Sequence, residues 1–129
     1  MAETRARPLS PHLEVYEWQP NMAVSILHRA TGLGMALVGG IVLVWWLSAA
    51  ASGEGAYMQF LGLIGSPLGL LVLIGLTWSF FQHLCSGLRH LFMDTGAGYD
   101  PAFSRKTATV TFIASTLLTL AVWVYVLAL

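Results

Sequence analysis

Charge is scarce in this sequence. Only 9% of its 129 residues are Asp, Glu, Lys or Arg, against 57% hydrophobic, whereas a soluble domain carries about 25% charged residues. That excludes a water-soluble globule and points to a chain that lives in lipid. Six basic and six acidic residues cancel, so no strongly basic face exists to hold nucleic acid. Cysteine is almost absent. Cys85 alone excludes an internal disulfide and any multi-cysteine metal site; two residues from His83 it reads as a small apolar filler. Gly-rich phosphate loops, HExxH and CxxC patterns are missing. No nucleophile, base and carboxylate fall together within the apolar runs, so hydrolytic catalysis has no machinery. The N-terminal stretch carries Glu3, Arg5, Arg7, Glu14 and Glu17 and no early apolar core. It is neither a signal peptide nor an acid-poor transit peptide, and with the initiator Met it suits a bacterial chain.

What the sequence does contain is three long apolar runs, at about 24–52, 67–93 and 106–129. Each can cross roughly 30 Å of hydrocarbon as a helix. The expected fold is an all-α membrane protein: one domain of three transmembrane helices, part of a hetero-oligomeric helical bundle. Residues 1–23, with Pro8, Pro11, Pro20, Tyr16 and Trp18, read as an extended or turn-rich arm along the membrane surface. Residues 53–66, with the single charge Glu54, read as a loop, and 95–105 as a turn. All six basic residues lie in the N-terminal region, at Arg29, or between Arg89 and Lys106. The positive-inside rule then puts the N-terminus on the cytoplasmic side and the C-terminus on the periplasmic side. The start of span one and the end of span two therefore share one depth.

Two polar groups lie at that depth. In HLCSGLRHLFMD, residues 83–94, His83 sits deep in an apolar run, where an ionisable side chain is by default a functional candidate. His90 follows seven positions on and only about 20° around the helix, so the two share a face. Gly87 lies between them and leaves room for something flat and bulky. A haem standing against the helix fits this pattern, with His83 on the iron and Arg89 or His90 at the propionates; the competing reading is a lone histidine hydrogen-bonded to a neighbouring helix. The second group, Ser25, His28 and Arg29, falls at i, i+3 and i+4 of span one, one face of a helix. Ser25 and Arg29 offer a hydroxyl and a cation to the carbonyl oxygens of a quinone head group. His28, nearer the interface, suits a propionate or quinone contact. Only one histidine has the depth for an axial ligand, so a second ligand would come from another chain.

These stretches resemble a known family. RPLSPHLEVY at 7–16, SILHRATG at 25–32 and HLCSGLRHLFMD at 83–94 are similar, in this order, to segments of the cytochrome b subunits of succinate dehydrogenase, the larger membrane anchors of complex II. The resemblance implies that His83 is the axial ligand of haem b, whose other ligand is a histidine of the small anchor subunit. It implies that Ser25 and Arg29 line the ubiquinone pocket, and that His28, Arg29 and His90 lie near the haem propionates. Succinate oxidation itself would belong to a flavoprotein subunit, with an iron–sulfur subunit passing electrons to quinone at the membrane face. Two other readings compete: a purely structural membrane anchor without haem, and a small transporter or channel subunit. The last would need charges along a pore, and spans one and three offer none inside.

Overall fold

The computed structural model of the chain describes residues 16–129. The arm expected over 1–23 and the motif at 7–16 therefore lie largely outside the described residues. Residues 16–19 have no regular structure. Gln19 is extended (φ −113°, ψ 149°), the conformation imposed on a residue before proline. Pro20 then opens the first helix, where its missing N–H costs nothing.

Helix α1 runs Pro20–Ser52, about 50 Å by helical rise. Its turn Met35–Gly39 is widened to a π-turn, with the Gly40 N–H reaching back to Met35 O. Gly53 ends it at φ 105°, a left-handed conformation that side chains resist. Helix α2, Glu54–Ile64, occupies what reads as a loop in the sequence. It folds back against the end of α1, with the Trp45 and Phe60 rings 4.8 Å apart and nearly perpendicular. Ser66 caps helix α3, Pro67–Asp94, by accepting from Gly69 N. After a turn with Gly96 (φ 85°) and Gly98 (φ 78°), Asp100 caps helix α4, Pro101–Ala128, by accepting from Phe103 N at 2.8 Å. The Asp-Pro cap starts α4 five residues before the apolar run at 106. Among the described residues α1, α3 and α4 are long and apolar enough to cross a membrane.

The interior is more polar than the surface. Among the described residues four apolar side chains are buried, Val24, Ala49, Phe60 and Ala108, against eight polar or charged ones. Lipid explains the inversion: apolar side chains lose nothing by facing acyl chains, so helices associate through small residues and hydrogen bonds. The α3–α4 seam is built this way. Ser104, Ala108, Thr111, Ser115 and Thr119 of α4 are buried, as are Gln82, Ser86 and Arg89 of α3. The Ser115 hydroxyl donates to Gln82 Oε1 at 2.7 Å, while Gln82 Nε2 is buried without a partner among the described residues.

A half-satisfied amide sets up a contrast between two substitutions. Ser115→Ala strands the carbonyl end as well and should destabilise the fold by about 1–3 kcal/mol. Gln82→Met removes donor and acceptor together at similar volume and should cost less than that. Thermal unfolding of the purified complex in detergent reads both, and a larger loss for Gln82→Met would contradict this account of the seam.

Candidate functional site

The site forms where α1 crosses α3. His83 projects from α3 toward α1, and its Nδ1 lies 3.0 Å from the backbone oxygen of His28. A carbonyl oxygen can only accept, so Nδ1 carries the proton. The Thr31 hydroxyl is 3.4 Å from the same nitrogen, and its own proton goes to Leu27 O at 2.7 Å. The hydrogen bonds of His83 to described residues run through Nδ1, leaving Nε2 without one among them. In the tautomer with its proton on Nδ1, the lone pair is at Nε2.

His28 lies flat against His83, with ring centroids 3.9 Å apart and planes 11° from parallel. Its Nδ1 is 2.7 Å from Ser86 Oγ. His90 approaches His28 edge-on, with ring centroids 5.1 Å apart. Three of the four histidines thus form one cluster, although His28 is 55 residues from His83. Ser25 is half-buried one turn before Arg29, and Arg29 is exposed.

Gly32 allows this approach, and Gly87 faces the partner ring at ordinary contact distance. A Cβ on Gly32 of α1 would stand 2.9 Å from His83 Cε1, and one on Gly87 of α3 would stand 3.5 Å from His28 Cε1. Each helix leaves out a side chain where the other inserts an imidazole. In the structure the His28 ring is the group that faces Gly87. Arg89 also differs from its sequence reading. It turns away from the histidines onto α4, where Nε donates to Thr107 Oγ1 at 3.0 Å and Nη2 to Ser104 Oγ at 2.8 Å. Residues 89 and 90 are about 100° apart on a helix, so only one of them can face α1, and it is His90.

The sequence reading assigned no role to Thr31, Gln82 and Ser86. The available signal was the run of polar residues at 82, 83 and 86 inside an apolar span; their partners on other helices leave no mark in local spacing.

Residues 3–122 match the model of the succinate dehydrogenase/fumarate reductase transmembrane subunit family. The chain belongs to that family. It is 42% identical over 113 residues to the succinate dehydrogenase cytochrome b556 subunit of Paracoccus denitrificans, covering 87% of this chain and 85% of that one. With the cytochrome b556 subunit of Rickettsia prowazekii it shares 38% over 118 residues, 92% of this chain and 91% of the relative. With the mitochondrial cytochrome b560 subunit of Mus musculus it shares 37% over 95 residues, 71% of this chain and 55% of the relative. Family membership and three apolar helices make it a multi-pass membrane subunit of an oxidoreductase complex, associated with catalytic subunits. The histidine cluster is thus the polar centre of a succinate dehydrogenase/fumarate reductase membrane subunit.

The two glycines should respond unequally to a methyl group. Gly32→Ala forces His83 or the helices to shift, and the thermal midpoint of the assembled complex should fall. Gly87→Ala meets His28 at ordinary contact distance and should be tolerated. Equal midpoints for the two variants would contradict the tight contact of Gly32 with His83.

Proposed function

We propose that this chain is the cytochrome b-type membrane anchor of a succinate dehydrogenase, holding one axial position of a haem b through His83 and helping to form the ubiquinone site. The observation that carries this reading is the bond from His83 Nδ1 to the His28 carbonyl. It leaves the Nε2 lone pair free and holds the ring in place, the arrangement of a metal-bound imidazole oriented by a backbone carbonyl. The donor set suits a haem better than a bare ion. Among the described residues no group of three or more His, Cys, Asp or Glu side chains could hold an ion. A single imidazole leaves the second axial position to a histidine of a small anchor subunit. The names of the relatives, cytochrome b556 and cytochrome b560, also support haem b. Such a haem, when bound, takes up and releases single electrons.

The other residues take complementary roles. His28, Arg29 and His90 supply polar groups for the haem propionates at the membrane edge. Ser25 and Arg29 donate to the carbonyl oxygens of ubiquinone, and the fixed cation stabilises negative charge as it develops there. A flavoprotein subunit oxidises succinate, and an iron–sulfur subunit delivers the electrons at the same membrane face. The distribution of the six basic residues supports an N-terminus on the cytoplasmic side of a bacterial inner membrane and a periplasmic C-terminus.

Two substitutions test the reading. His83→Ala should abolish the b-type band in a reduced-minus-oxidised spectrum of the purified complex; an unchanged band would overturn the ligand assignment and leave a structural anchor. Arg29→Ala should lower quinone reduction on the order of 10²-fold while succinate oxidation by a soluble artificial dye persists. Equal losses in both assays would place Arg29 in assembly instead.

A further inference from the structure

We infer that Ser86 is a positioning residue for the His83 imidazole, acting through His28 as a flat clamp; this rests on the proposed role of His83 as an iron ligand. An axial imidazole is free to rotate about its bond to the metal unless its ring is held, and second-shell contacts supply that restraint. The bond from Nδ1 to His28 O, 3.0 Å, fixes one atom of the ring but not the tilt of its plane. The tilt is set by a face: the His28 ring, 3.9 Å away and within 11° of parallel.

That face is useful only if His28 is itself held. Its Nδ1 lies 2.7 Å from Ser86 Oγ; the hydroxyl proton goes to Gln82 O, so Nδ1 donates to Oγ and the bond pins the ring. Ser86 is wholly buried. Its oxygen is tied in turn to Gln82 O, 2.7 Å away on the preceding turn of α3. The anchor point is therefore fixed to the same helix that carries His83. The restraint closes on itself: His83 of α3 lies under His28 of α1, and His28 is tied back to α3 three residues beyond His83. Gly87, where a Cβ would stand 3.5 Å from His28 Cε1, leaves the space the clamp occupies. With Nδ1 engaged by Ser86, His28 has only Nε2 left for any polar group outside the chain.

The electronic asymmetry of a low-spin iron follows the planes of its axial rings, so the clamp has a spectroscopic readout apart from activity. The experiment compares haem content and the electron paramagnetic resonance spectrum of the oxidised, purified complex in wild type, Ser86→Ala, His28→Phe and His28→Ala. Ser86→Ala should keep its haem, with the low-spin signal shifted and broadened. His28→Phe, which keeps a flat ring, should lie closer to wild type than His28→Ala. A Ser86→Ala signal with wild-type position and width would overturn the clamp. Should Ser86→Ala fail to assemble, the two His28 variants decide, and identical signals from them would overturn it equally. A wild-type complex without haem would instead overturn the ligand reading; loss of haem in His83→Ala beside an unchanged Ser86→Ala would keep that reading and discard the clamp.

Discussion

One hydrogen bond, from His83 Nδ1 to the backbone oxygen of His28, organises the polar centre of this protein. In hydrocarbon no water is available to satisfy an imidazole N–H, and an unpaired one costs several kcal/mol. The partner here is a main-chain atom of another helix. Reaching it requires α1 to approach the His83 ring more closely than a side chain at position 32 would permit, which is the role of Gly32. It also requires residues 28 and 83 to lie at one depth, a condition set by the length of α1, the return through α2 and the start of α3. The stacking of His28 on His83 and the edge contact of His90 follow from that approach.

The rest of the interior obeys the same shortage of water. Buried hydroxyls return their protons to carbonyls of their own helix, as Ser86 does to Gln82 O, Thr111 to Ala108 O and Thr119 to Ser115 O. Arg89 is held by Ser104 and Thr107, so the α3–α4 contact is fixed by a cation in a nest of neutral acceptors. The two seams divide the work. The α3–α4 seam holds the bundle together with small hydroxyl residues, and the α1–α3 crossing presents imidazoles. Gln82 and Ser86 lie at the junction, one hydrogen-bonded to α4 and the other to α1.

Much of this architecture was legible in the residues themselves, but unevenly. The three spans and the depth of His83 follow from apolar run length and a fixed rise per residue. Helix α2 did not, because Glu54–Ile64 is held by packing of Phe60 on Trp45 rather than by a local signal, and its glycines argue against a helix. Pro20 and the Asp100–Pro101 cap started two helices earlier than the apolar runs suggested. The histidine cluster was half legible: positive charges placed residues 25–29 and 83–90 at one depth, yet the choice between Arg89 and His90 needed the rotation of α3.

The sequence by itself therefore determined that the chain forms three helices long enough to cross a membrane, and roughly where along them the histidines fall. These are properties along one dimension, governed by hydropathy and helical rise. Only the tertiary structure decided which face of each helix meets which neighbour: that Arg89 turns to α4, that the His28 ring lies against Gly87, and that Ser86 supports His28. A span apolar nearly all round carries little rotational information in lipid. The setting of its faces comes from a few polar side chains finding partners across helices, and those partners lie tens of residues away.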